Sequence, residues 1–203
     1  MLHESPMARD EALRALGYIR AAIDRTTRYS TFSAWSGFIA GTAALAGSGG
    51  CGWAAENPGC HPLLGPRFLG VWLGVFVVAA VTMLILTALK AQQRGERMWT
   101  PIARTAFGAL LGPGMAGLVA TLALARAERY DLLPGLWLTM YGCGLYVASF
   151  FAPLFMRTLG LIFLALGAAA WWTPVEWSAV WLGLGFGGLH FAFGTIVMWR
   201  YRG

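Results

Sequence analysis

Charge is scarce in this chain. Only 12% of its 203 residues are Asp, Glu, Lys or Arg, about half the ~25% of an ordinary globular domain. No Asp or Glu falls within any long apolar stretch, so no chain of carboxylates is available there to relay a proton. Histidine and cysteine number three each. The grouping of Cys51, Glu56, Cys60 and His61 does not have a usual zinc spacing, so no metal and no cofactor are expected. Haem held by two histidines of one chain is excluded, because His3 and His61 lie outside the apolar stretches. There is no phosphate-binding loop, metal-helix motif, paired carboxylate or Ser/His/Asp array. Ser36 has no evident base, which leaves an intramembrane hydrolase with little support and makes a non-enzymatic protein the expectation. Alternating polar and apolar runs of about ten residues are missing too, which disfavours a transmembrane barrel.

What is present is apolar surface. Hydrophobic residues make up 58% of the chain, with 27 glycines and 10 tryptophans. A water-soluble domain of this length has nowhere to bury so much, so soluble enzymes and nucleic-acid-binding modules are excluded. At about 1.5 Å per residue, a helix needs about 20 apolar residues to cross a ~30 Å hydrocarbon core. Six segments qualify: 31–48, 68–89, 105–125, 134–153, 155–173 and 177–199. The expected fold is all-α, a polytopic transmembrane helical bundle of six spans forming one domain over 30–203.

The basic residues set the orientation. With a cytoplasmic N-terminus, the inner side holds Arg9, Arg14, Arg20, Arg25, Arg28, Lys90, Arg94, Arg97, Arg104, Arg157, Arg200 and Arg202. The outer side holds Arg67, Arg126 and Arg129. A 12 to 3 division places both termini in the cytoplasm of a cell inner membrane. The small-residue site Ala44-Leu45-Ala46 resembles a signal cleavage site, but acids at Glu4, Asp10, Glu11 and Asp24 argue for a retained span.

Residues 1–29 read as an amphipathic helix. Ser5-Pro6 suits a helix start, and Ala12, Leu16, Ile19 and Ile23 share one face. Asp10–Arg14 and Asp24–Arg28 are i,i+4 pairs on the other side. Such a helix lies on the inner membrane surface or docks to a cytoplasmic protein partner. Residues 47–67, dense in Gly and Pro, are expected to form an external loop. Cys51 and Cys60 within it would form a disulfide in an oxidising compartment, or remain free thiols.

Rows of small residues mark packing faces: Ser33, Gly37 and Gly41; Gly70 and Gly74; Gly108 and Gly112. They predict a tight bundle. Gly112-Pro113-Gly114 near the middle of the third span is a candidate for a proline kink or a helix break. In the fourth span Gly135, Thr139, Gly142, Tyr146, Ser149 and Pro153 share a face, and in the sixth Gly183, Gly187, His190 and Gly194 do. Both faces should point at protein. His190 and Tyr146 fall at similar depth, which predicts a hydrogen bond between them across a 4/6 interface. An ionisable side chain at mid-membrane is either structural glue or a ligand or proton-sensing group. His190, Tyr146 and Thr139 are the candidates for the latter.

The stretches Pro134-Gly135-Leu136-Trp137-Leu138 through Tyr141-Gly142, and Gly185-Phe186-Gly187-Gly188-Leu189-His190 through Phe193-Gly194, carry a resemblance, as does Gly17-Tyr18-Ile19-Arg20. They are similar to those of a group of uncharacterised small six-span membrane proteins of acidobacteria and related soil bacteria. The resemblance covers most of the chain and is most specific in the sixth span. That group is associated with genes for winged-helix transcription regulators, so the resemblance implies a signalling or regulatory setting, with no functional residue carried over. The functional expectation is a sensor, regulatory or partner-binding component of the lipid bilayer. A small oligomeric transporter or channel with a pathway near His190 is the alternative. A homo-oligomer or a cytoplasmic protein is the expected partner, and nucleic acid is not.

Overall fold

The computed structural model describes residues 33–53, 65–93, 95, 98–152 and 154–201, together with Leu16, which is helical. The rest of the expected amphipathic helix over 1–29 and the proposed Cys51–Cys60 pairing lie outside the described residues. Among the described residues the fold is all-helical, with no strand. The elements are α1 (Ala34–Trp53), α2 (Pro66–Gln93), α3 (Pro101–Arg126), α4 (Leu133–Ala148) and α5 (Phe155–Trp172). A final helix follows in three parts: α6 (Ser178–Leu182), a π-helical segment (Gly183–Leu189) and α7 (His190–Tyr201). One-turn 3₁₀ segments, Tyr130–Leu132 and Val175–Trp177, lead into α4 and α6.

Four stretches are long and apolar enough to cross a membrane: Pro66–Gln93, Pro101–Arg126, Phe155–Trp172 and Val175–Trp199. Two of them expose apolar side chains on most of their surface. Phe76 and Val77 on α2, and Val119 and Leu122 on α3, stand free of the bundle. In water such faces would be a liability; against lipid they are ordinary.

The connection after α1 and the middle of α3 differ from the sequence expectation. The loop expected over 47–67 is shorter at both ends, because α1 runs on to Trp53 and α2 begins at Pro66. Gly47 lies against Val71 and Val75 of α2, so this glycine serves helix packing rather than a turn. The break considered at Gly112-Pro113-Gly114 is not formed, since α3 is continuous from Pro101 to Arg126 with Pro113 inside it. Proline removes one backbone bond, and the remaining bonds carry the helix through. The start of α3 is well defined: the Thr100 hydroxyl accepts from the Ala103 N–H at 3.1 Å, with Pro101 next in the chain.

Packing is dominated by four helix pairs: α4 with α5, α3 with α4, α1 with α2, and α1 with the final helix. Glycine makes two of these close. A Cβ at Gly142 would fall 2.8 Å from the Leu164 nitrogen, and one at Gly160 2.7 Å from the Tyr146 nitrogen. On the other side of the bundle, a Cβ at Gly37 would fall 2.7 Å from the His190 carbonyl oxygen. The rows Gly70/Gly74 and Gly108/Gly112 do not tighten the bundle as expected, because nothing in the described chain lies within reach of them. The core between the pairs is built from Phe68, Trp72, Leu133, Leu138, Phe163 and Leu182, with neighbouring apolar residues.

Candidate functional site: a histidine–tyrosine pair beside a π-helical turn

His190 opens α7, directly after the π-helical segment Gly183–Leu189. Its Nε2 lies 3.0 Å from the Tyr141 hydroxyl on α4. The two rings are 5.6 Å apart and inclined by 30°. Phe163 meets Tyr141 edge-on at 4.8 Å and His190 at 6.0 Å. Phe186, one turn before His190, closes the group at 5.3 Å from Tyr141 and 6.1 Å from His190. A single polar pair is thus enclosed by aromatic rings from α5 and the π segment.

The expected His190–Tyr146 bond is not made. The row containing Gly135, Thr139, Gly142 and Tyr146 faces α5, where Gly142 meets Gly160 and Leu164, and Thr139 meets Gly167. Tyr141 is five residues from Tyr146, about 140° around the helix, and so points to the final helix instead. Thr139 is also away from His190: its hydroxyl donates to the Gly135 carbonyl and receives the Trp171 indole N–H at 3.4 Å. On the final helix, Gly183, Gly187 and Gly194 lie against Ser48, Leu45 and Ala34 of α1. The His190 ring leaves that row at its edge and follows Phe186 toward α4. Spacing alone missed Tyr141, although it sits in the Tyr141-Gly142 pair of the same motif.

Hydrogen bonding around the pair is incomplete. His190 Nδ1 is enclosed without a partner of good geometry, although Gly185 and Phe186 present backbone groups to the ring. The indole N–H of Trp72 is likewise enclosed and unpaired. Trp72 packs on Phe186 at 6.1 Å and on Trp137 at 6.3 Å, so Trp72 and His190 flank Phe186. By contrast, the Trp137 N–H donates to the Thr121 hydroxyl at 2.9 Å, which in turn donates to the Gly117 carbonyl. Buried polar atoms are normally satisfied, and an unfilled one costs about 1–3 kcal/mol.

At the turn between α3 and α4, outside the apolar segments, Arg129 grips Asp131 through two nitrogens at 2.9 Å. Hydrogen bonds from Arg129 hold the Asp131 carboxyl below its ordinary value. Asp131, Trp171, Thr173 and Ser178 border a small surface cleft of about 110 Å³. Among the described residues no group of three His, Cys, Asp or Glu side chains is placed to hold a metal ion.

The class these features define is an all-helical protein with helices apolar enough to span a membrane, enclosing one polar aromatic pair. No protein family, curated protein or solved structure matches the chain.

Proposed function

We propose that this is a six-span protein of the cell inner membrane, with both termini cytoplasmic, acting as a non-enzymatic sensor or regulatory component. His190 and Tyr141 are its responsive element, and residues 1–29 are the segment that meets a cytoplasmic partner. The 12 to 3 division of basic residues supports the orientation. At 20 residues α1 extends about 30 Å, which by length matches a fifth span. At 16 residues α4 is shorter, and its 3₁₀ lead at Tyr130–Leu132 adds to its reach as the sixth.

The observation that carries the reading is the His190–Tyr141 hydrogen bond directly beside a seven-residue π segment. A π turn is a rare variant of the α-helix that is frequent at functional sites. Relaxing one such turn to α geometry rotates everything beyond it by about 100°. Here that rotation would carry His190 away from Tyr141 and turn α7 against α1. A proton or small polar ligand at His190 therefore biases two arrangements of the final helix, which is the requirement for a switch.

The test uses protein extracted from its own membranes and examined by native mass spectrometry, alongside proteoliposome flux. A specific complex with a cytoplasmic protein, lost on deleting residues 1–28 and altered in occupancy by His190→Gln, is the expected result. Solute flux in liposomes containing this protein alone, abolished by His190→Ala, would instead establish a transporter.

A further inference from the structure

The cleft bordered by Asp131 and Ser178 is assembled from three parts of the chain at one end of the bundle. The 3₁₀ segment Tyr130–Leu132 supplies Asp131, and the last turn of α5 supplies Ala170 and Trp171. Thr173 follows α5, and Ser178 opens α6 to complete the wall. At about 110 Å³ the cleft has room for more than a single water.

Its polar groups with capacity to spare are acceptors. Ser178 is only 5% exposed, yet its hydroxyl has no hydrogen-bond partner among the described residues. Buried hydroxyls are normally satisfied, so an open one in the wall of a cleft marks a place for a ligand group. The Ala170 carbonyl is open for a covalent reason: the residue four ahead is Pro174, which has no N–H. Among the described residues no other backbone N–H reaches it from outside the helix. As part of a helix C-terminus it also lies at the negative end of the helix dipole. Asp131 adds a carboxylate that hydrogen bonds from Arg129 keep below its ordinary pKa, so it is ionised at neutral pH. Arg129 fills two of its acceptor positions at 2.9 Å, and a carboxylate offers about four. Trp171 contributes indole surface, which attracts a cation. No Lys or Arg is among the described residues that line the cleft.

We infer that this cleft binds a primary ammonium group, carried by the headgroup of an ethanolamine phospholipid or by a soluble amine. An ammonium has three donors and no acceptor, the complement of a carboxylate, an open carbonyl and an open hydroxyl. An anion would meet acceptors and a negative charge instead. Trp171, Trp172 and Trp177 are all exposed around this end of the bundle, as side chains at the headgroup level are. The site shares no residue with the His190–Tyr141 pair and does not depend on it.

The test places the full-length protein in nanodiscs of phosphatidylcholine, with and without phosphatidylethanolamine, and reads Tm together with lipid retained in native mass spectrometry. The wild type should retain phosphatidylethanolamine in preference to phosphatidylcholine, whose trimethylated nitrogen has no N–H to donate. Ser178→Ala should weaken that retention by about tenfold, the scale of one charge-assisted hydrogen bond. Its Tm in pure phosphatidylcholine should not fall, because no hydrogen bond within the protein is lost. Asp131→Asn should weaken retention as well, and Thr105→Ala, at the opposite end of α3, should leave it unchanged. Ethanolamine in solution raising Tm in pure phosphatidylcholine discs, in the wild type and not in Ser178→Ala, would identify a soluble amine as the source. Equal phosphatidylethanolamine retention by wild type, Ser178→Ala and Asp131→Asn, with no rise in Tm from ethanolamine, would overturn the inference.

Discussion

At the residue scale, the hydroxyl of Tyr141 and the imidazole of His190 depend on each other. Hydrogen bonds between membrane helices average about 0.6 kcal/mol and reach about 1.7 kcal/mol. Tyr141→Phe should destabilise the protein, because it removes the hydroxyl that pairs with Nε2. Adding His190→Phe to it should recover part of the loss. A double-mutant cycle followed by unfolding in mixed micelles should give a coupling of about 0.6–1.7 kcal/mol, whereas Tyr146→Phe with His190→Phe should give none. A second residue-scale expectation concerns Asp131. Its carboxyl titrates lower when folded than when unfolded, so the Arg129 pairing stabilises above the ordinary carboxylate pKa. That contribution disappears as pH falls through the lowered folded value. The effect is small because solvent screens the pair, and Asp131→Asn should flatten the acid limb of a Tm-against-pH curve.

At the element scale, glycine has two different jobs in helices of similar composition. Between α4 and α5, Gly142 and Gly160 let backbones touch, and an added methyl group meets main chain that cannot turn aside. Gly142→Ala or Gly160→Ala should cost about 1–3 kcal/mol through overpacking. Gly74 on α2 and Gly108 on α3 meet nothing within 4 Å. Alanine at these positions should be neutral or stabilise by up to about 1 kcal/mol, because it restricts the unfolded helix. Thermal unfolding of the four variants in one detergent separates the two classes. A sequence row such as Gly108/Gly112 looks no different from Gly37/Gly41. What distinguishes them is the neighbour, which local spacing does not specify.

At the scale of the whole molecule, the final helix joins the two halves of the bundle. It packs on α1 through its glycines and reaches α4 and α5 through Phe186 and His190. A π segment at that junction couples any rotation of α7 to both sides. The orientation proposed for the bundle has a direct consequence. A periplasm-dependent reporter such as alkaline phosphatase should be active when inserted between residues 54 and 64, and inactive when fused after Gly203. A cytoplasmic fluorescent reporter at the C-terminus should behave in the opposite way. Reversed activities would turn the molecule over and place the Asp131–Ser178 cleft at the inner leaflet.

The sequence by itself determined the apolar character of the long segments and their helical structure. Too few charges and too many apolar residues point to lipid as the environment, where helices are a way to satisfy each backbone group. Helix positions were legible to within a few residues for the same reason, since hydrophobic length is a local property. His190 was legible as a candidate too, because an ionisable side chain in an apolar stretch stands out without a structure. Its partner was not. Tyr141 and Tyr146 sit on the same helix at depths that differ by about 7.5 Å, and choosing between them requires knowing which face of α4 meets which neighbour. Tertiary packing decided that: backbone contact at Gly142 and Gly160 commits one face of α4 to α5, and the turn from Gly183 to Leu189 aims His190 at the face that remains.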